Sequence, residues 1–201
     1  MPRKQEDARQ TAIPRDPTRP RGSTYGSEWL DSRPRPLPRT CMKASTFRLG
    51  INLWPPFLFT GIHVTRITPD YRQIDVELRL RPWNRNYVGT HFGGSLFAMT
   101  DPFWMIMTLR ALGKDHVVWD KAGEIEFIRP GRGTVHAAFD LDTATVEAIR
   151  AVTADGSKHL HWFTTDVVDA SGELVARVRK QVYVRRKRRS GQSEVVVDST
   201  R

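Results

Sequence analysis

The clearest pattern in the chain is an alternation over residues 73–81, where Ile74, Val76, Leu78 and Leu80 interleave with Asp75, Glu77, Arg79 and Arg81. A period of two puts one set on a buried face and the other in water, so this segment is a half-buried strand. Residues 62–68 alternate too, and Pro69-Asp70 between the two stretches supplies turn chemistry, which predicts a hairpin. Further strands are predicted at 116–128, in one or two pieces, at 134–141, and at 159–168 and 173–184. The run Arg129-Pro130-Gly131-Arg132-Gly133 marks a bend, and Asp169-Ala170-Ser171-Gly172 a hairpin turn. Helical spacing is found in three places. Met42, Phe47, Leu49 and Leu53 share one face over 41–53, ended by Trp54-Pro55-Pro56, and Val146, Ile149 and Val152 share one over 143–153. The third runs from Asn86 to Leu112. It passes from a polar loop through Gly93-Gly94 into a segment that is almost wholly apolar, interrupted by the carboxylate of Asp101. A helix apolar on nearly all sides must be surrounded by other elements. The expected fold class is therefore α+β, an antiparallel sheet wrapped around one long central helix. Pro102 is expected to kink that helix and to aim Asp101.

Charge changes the picture at the ends. The formal net charge is +10, of which residues 1–40 contribute +4, residues 185–201 another +4, and the middle only +2. Residues 1–40, rich in Pro and Arg, are expected to be a disordered tail, 41–184 the folded domain, and 185–201 a basic flexible tail. A nearly neutral domain argues against a nucleic-acid-binding fold, which needs its basic residues on one face of the domain itself. The lone Cys41 cannot form an internal disulfide, and no run of about 18 apolar residues predicts a membrane span. The acidic residues Glu6, Asp7, Asp16, Glu28 and Asp31 argue against an organelle transit peptide, and a cytoplasmic location is expected. His159 and His161 sit two apart on one strand face, but no Cys or carboxylate set completes a ligand group, so no metal and no cofactor are expected.

The candidate chemistry lies in the 86–112 segment. Two glycines at a helix start allow a ligand close to the backbone, and first-turn N–H groups are donors for a developing negative charge. Asp101 lies seven residues beyond Gly94, roughly 10 Å along a helix axis. That is too far to serve a carbonyl held at its own helix start. If two copies lie antiparallel across a two-fold axis, Asp101 of one comes opposite Gly94 of the other, and the site is composite.

Asn86-Tyr87-Val88-Gly89, followed by Gly93-Gly94 and Asp101, resembles the hotdog-fold acyl-CoA thioesterases of the phenylacetyl-CoA thioesterase type. Their motif is Asn-x-x-Gly-x-x-His-Gly-Gly with an Asp seven residues after the second Gly. Ile125-Glu126-Phe127-Ile128-Arg129-Pro130 and the hairpin from Gly172 extend the likeness over about residues 46–185. A closer likeness, through residues 90–98 and Trp119-Asp120-Lys121, is to a group of hotdog domains with no assigned function. The resemblance implies a homodimer or dimer of dimers acting on acyl-CoA or another acyl thioester. The Gly93 and Gly94 amides would polarise the thioester carbonyl, Asp101 of the partner chain would be general base or nucleophile, and Asn86 would hold the loop or a water. Thr90, Phe92, Ser95, Phe97 and Trp104 would meet the substrate. Phe103 and Met107 would extend an acyl tunnel, and Arg85, Lys121, Arg129 and Arg132 would meet the CoA phosphates. One departure stands out. The family's His position is Phe92 here, and the nearest imidazole, His91, is displaced by one, so its role falls to His91 or Thr90 or is lost. Two other readings compete with the hydrolase: a non-catalytic acyl-CoA binding or sensing domain, and a hotdog dehydratase or hydratase, whose acid would fall near Met105.

Overall fold

A computed structural model describes residues 42–187. The tails expected at 1–40 and beyond residue 187 lie outside the described residues. Arg185 and Arg186, which the sequence reading assigned to the C-terminal tail, still belong to the last strand.

The elements run α1 (Ala44–Leu53), α2 (Pro55–Thr60), β1 (Ile62–Ile67), β2 (Gln73–Arg79), α3 (Gly93–Ala98), α4 (Phe103–Leu112), β3 (His116–Phe127), β4 (Thr134–Asp140), α5 (Thr143–Val152), β5 (Lys158–Asp169) and β6 (Leu174–Arg186). The strands form one sheet in the order β1-β2-β4-β5-β6-β3, and every pairing is antiparallel. The sequence parity is kept in the register. Ile74, Val76 and Leu78 of β2 face Phe139, Ala137 and Val135 of β4, and all six are buried. On β6 Val175 is buried, and from Ala176 on every second residue is, through Val178, Lys180, Val182 and Val184, an apolar stripe with one ammonium in it. The α4 side chains Phe103, Trp104, Met107 and Leu112 fill the concave face of this sheet. Phe103 lies 5.0 Å from Phe139, and Trp104 stacks on Phe163 at 4.3 Å. Asp142 caps α5, its Oδ1 accepting from the Thr145 amide at 2.6 Å, so that Val146 and Ile149 pack into the same core.

The long central helix is only partly realised. Instead of one kinked rod, α3 ends at Ala98, residues 99–102 form a turn, and α4 begins at Phe103. Pro102 has no N–H to give to the Ala98 carbonyl, and the Asp101 amide takes that acceptor instead at 3.2 Å. The Thr100 amide and hydroxyl both donate to the Phe97 carbonyl, at 3.0 and 2.8 Å, which tightens the chain and breaks the ladder. At Trp54-Pro55-Pro56 the expected helix end is also a start. Trp54 has the extended backbone that a residue before proline prefers, and Pro55 occupies the first turn of α2.

The two sheet edges, among the described residues, are β1 and β3. α1 covers the first. Asn52 Oδ1 accepts from the Val64 amide at 2.7 Å while its Nδ2 donates to the Val64 carbonyl at 3.0 Å, so one side chain satisfies the edge as a strand would. β3 is one continuous strand with a bulge at Lys121. Asp120 pairs with Val182 and Ala122 with Gln181, so Lys121 has no opposite residue.

Candidate functional site

The bulge on β3 decides what faces the interior. Before it, Asp120 shares the inward parity of Val182. After it, the parity changes, and Gly123 comes directly opposite Lys180. Two residues three apart in sequence thus share the face beside the buried ammonium. From the other side, the break between α3 and α4 delivers Asp101. Lys180 Nζ donates to Asp101 Oδ1 at 2.6 Å and lies 3.4 Å from Asp120 Oδ2. The Lys180 side chain is 5% exposed and that of Asp101 53%. The ring of Phe97 covers the ammonium at 5.3 Å. Burial pushes the Asp120 carboxyl above its ordinary value; the Lys180 ammonium pulls it back, and the Asp101 charge raises it further. Asp120 Oδ1 is buried with no hydrogen-bond partner among the described residues.

Asp101 is thus half exposed and ion-paired, and the more deeply placed acid of the pair is Asp120. Neither Lys180 nor Asp120 was a site candidate. The signal for Lys180 is legible, since it is the one charge among the apolar residues from Leu174 to Val184 on the even parity of β6.

Gly93 and Gly94 occupy the first turn of α3, after Phe92. Aromatic rings lie against both. A Cβ on Gly94 would come within 2.4 Å of Phe92 Cε1, and one on Gly93 within 2.8 Å of Phe127 Cζ. Asn86 organises the loop before them. Its Oδ1 accepts from the Val88 and Thr90 amides at 3.1 and 3.0 Å, and its Nδ2 donates to Thr90 Oγ1 and the His91 carbonyl at 2.9 and 3.1 Å. His91 is buried and its Nε2–H donates to the Gly133 carbonyl at 2.8 Å, tying the loop to the bend before β4. Thr90 and Ser95 are buried, and Phe92 is exposed. Of the residues expected along an acyl tunnel, Phe97 lies at Lys180, whereas Phe103, Trp104 and Met107 are packed core, with Trp104 Nε1 donating to Thr165 Oγ1 at 2.7 Å. A shallow apolar groove of about 400 Å³ runs between α1 and α4, lined by Phe47, Ile51, Trp54, Pro102 and Ile106. Arg129 is engaged inside the chain, donating to the Leu174 carbonyl at 3.0 Å and pairing with Asp169 at 2.6 Å and Glu173 at 2.5 Å. Arg85, Lys121 and Arg132 are exposed.

A half-exposed carboxylate braced by an ammonium, on an antiparallel sheet packed around a broken helix, belongs to a fold shared with solved structures described as thioesterases. The chain is similar to a Pseudomonas aeruginosa protein of unknown function described as a probable thioesterase, with a TM-score of 0.65 and 17% identity over 73% of this chain and 97% of that one. It is also similar to a Haemophilus influenzae thioesterase, with a TM-score of 0.54 and 13% identity over 76% of this chain and 96% of that one. The fold is thus of the thioesterase-like hotdog type. Within it, the chain belongs to the family described as a domain of unknown function, DUF4442, whose model matches residues 44–184. No curated protein matches the chain. Among the described residues no helix is long and apolar enough to cross a membrane.

Proposed function

We propose that the chain hydrolyses acyl thioesters, of CoA or another acyl carrier, with Asp101 as general base on water or as nucleophile. The observation that carries this reading is Asp101 itself, set at the interruption of the buried helical segment with Oδ1 held by Lys180 and its side chain half exposed. That leaves Oδ2 for a reacting water or carbonyl. The names of the similar structures support the same class of reaction, and the Asn86, Gly89, Gly93, Gly94 and Asp101 spacing favours the phenylacetyl-CoA thioesterase type. The working form is a homodimer, or a pair of dimers, in which the Gly93 and Gly94 amides of one chain face Asp101 of the other. The two sheet edges support this arrangement, since α1 satisfies β1 whereas β3 presents exposed Phe127, next to exposed Ile128. A well-placed general base contributes about 10²–10⁴-fold, and each oxyanion donor about 3 kcal/mol. Arg85, Lys121 and Arg132 remain the contacts proposed for CoA phosphates.

The test is free-thiol release from short, medium, long and aromatic acyl-CoAs. Asp101→Asn is expected to stay folded and to lose at least about 10²-fold in turnover; unchanged turnover rejects Asp101 as the acting group, and a wild-type chain that releases no thiol rejects the hydrolase. One observation favours the non-catalytic acyl-binding reading: the Phe92 and Phe127 rings lie over the glycine pair that would receive the carbonyl. In that case acyl-CoA raises the melting temperature and no thiol is released.

A further inference from the structure

We infer that Lys180 is the positioning residue of this site: its ammonium, anchored from behind by Asp120, holds the Asp101 carboxylate in the orientation that hydrolysis requires. The inference rests on the thioester reading above and names the group that orients its acting carboxylate.

Three features of the fold are arranged around that ammonium. The first is its place on β6. Lysine occupies the buried parity between Val178 and Val182, where an apolar side chain would pack at no electrostatic cost. Taking an ammonium out of water is expensive, and a buried ion pair is often no more stabilising than apolar residues of the same volume. Packing alone therefore gives no reason for it. The second is the bulge at Lys121, which brings Asp120 and Gly123 to the inner face of β3 beside Lys180. A regular strand would keep Asp120 inward and turn Gly123 outward. The third is Gly123 itself. A Cβ there would come within 2.5 Å of Phe97 Cζ and 3.2 Å of Lys180 Cδ, so the bare backbone lets the lysine stem and the phenylalanine ring lie side by side.

The charges are graded in depth. Lys180 is buried, Asp120 is three-quarters buried behind it, and Asp101 is half exposed in front. Two carboxylates share one ammonium, and the exposed one is placed to act on a substrate. The group that holds Asp101 is Lys180 and not His91, whose Nε2–H donates to the Gly133 carbonyl. Lys180 touches the acting carboxylate and not the substrate, so its contribution is to place a group rather than to transfer a proton. A displacement of about 1 Å in such a group costs about 10²-fold in rate.

The experiment uses the full chain and two readouts. In the first, Asp carboxyl carbons are labelled and the Asp120 signal, assigned with Asp120→Asn, is followed by NMR through a pH titration. The titratable groups facing Asp120 are Lys180 and Asp101. Lys180→Met is expected to move the Asp120 titration to higher pH and Asp101→Asn to move it lower. If neither variant moves it, the three groups are not one unit and the inference is overturned, whether or not any thioester is cleaved. In the second readout, thiol release is measured for Lys180→Met and for Lys180→Met/Asp120→Asn, the double variant leaving no stranded buried charge. Both are expected to lose about 10²-fold in kcat with KM nearly unchanged, while the double variant recovers the melting temperature lost in the single one. If the double variant recovers turnover together with stability, Lys180 is only structural and the inference fails. A wild-type chain silent on every thioester refutes the hydrolase reading instead, and the titration then decides on the cluster alone.

Discussion

At the scale of single residues, buried polar groups separate the site from its scaffold. His91 is the instructive case, since its place beside the glycine pair made it a candidate for chemistry. Burial holds its imidazole below the ordinary value, and the Gly133 hydrogen bond offsets this only in part. Because the folded state disfavours the charged ring, the unfolded chain binds the extra proton first. Stability is therefore full above the unfolded value of 6.5 and falls as the pH drops below it, until the folded value is passed. His116, buried at the start of β3, is shifted in the same direction and adds to the same slope. Asp120 has the opposite sign: its raised folded value removes stability as the pH rises from 3.8 through that value. His91→Gln keeps a donor for the Gly133 carbonyl but cannot titrate. Thermal melts from pH 7 to pH 5 should show a smaller loss of melting temperature for His91→Gln than for wild type. Equal slopes would mean that His91 titrates as if in water.

At the scale of elements, the departures from the sequence reading have local chemical causes. The central helix is broken because Pro102 cannot donate to the Ala98 carbonyl and Thr100 offers a competing hydroxyl to Phe97. Apolar residues flank this break on both sides and Met99 and Thr100 within it are buried like the helices, so periodicity alone does not mark it. Lys180 is legible by parity alone, whereas Asp120 is not, because counting by twos along β3 fails at Lys121. A bulge depends on the partner strand and leaves little trace in its own sequence. The Asn52 plug on β1 was equally invisible, as its partner Val64 lies twelve residues on and across a helix end. Asn52→Ala removes both hydrogen bonds to that backbone. It is expected to cost about 1–3 kcal/mol in chemical denaturation, the range for leaving buried backbone groups unsatisfied. A loss below about 0.5 kcal/mol would show that water replaces the amide without penalty.

At the scale of the whole molecule, the two sheet edges make the strongest statement. One is closed by a side chain from α1, and the other is a twelve-residue strand with apolar residues exposed near its end. Unpaired strand edges are templates for pairing with another chain. Sedimentation equilibrium is expected to give about twice the 23.0 kDa chain mass, or about four times for a pair of dimers. Phe127→Glu, on the proposed contact, should shift the chain towards monomer and reduce thiol release in parallel. A monomeric wild type that still releases thiol would show that one chain carries a complete site.

The sequence by itself determined the alternation of the first two strands, the hairpin turns, a helix close to Thr143–Val152, and the apolar segment that Asp101 interrupts. These follow from periodicity and turn chemistry, which are local properties of the chain. The tertiary structure decided which groups meet. Asp101, Asp120 and Lys180 come from a helix break, a bulged edge strand and the last strand, the first and the third 79 positions apart in sequence. Their convergence depends on strand order and on the extra residue at Lys121, and neither is written in the local pattern of any one of the three segments.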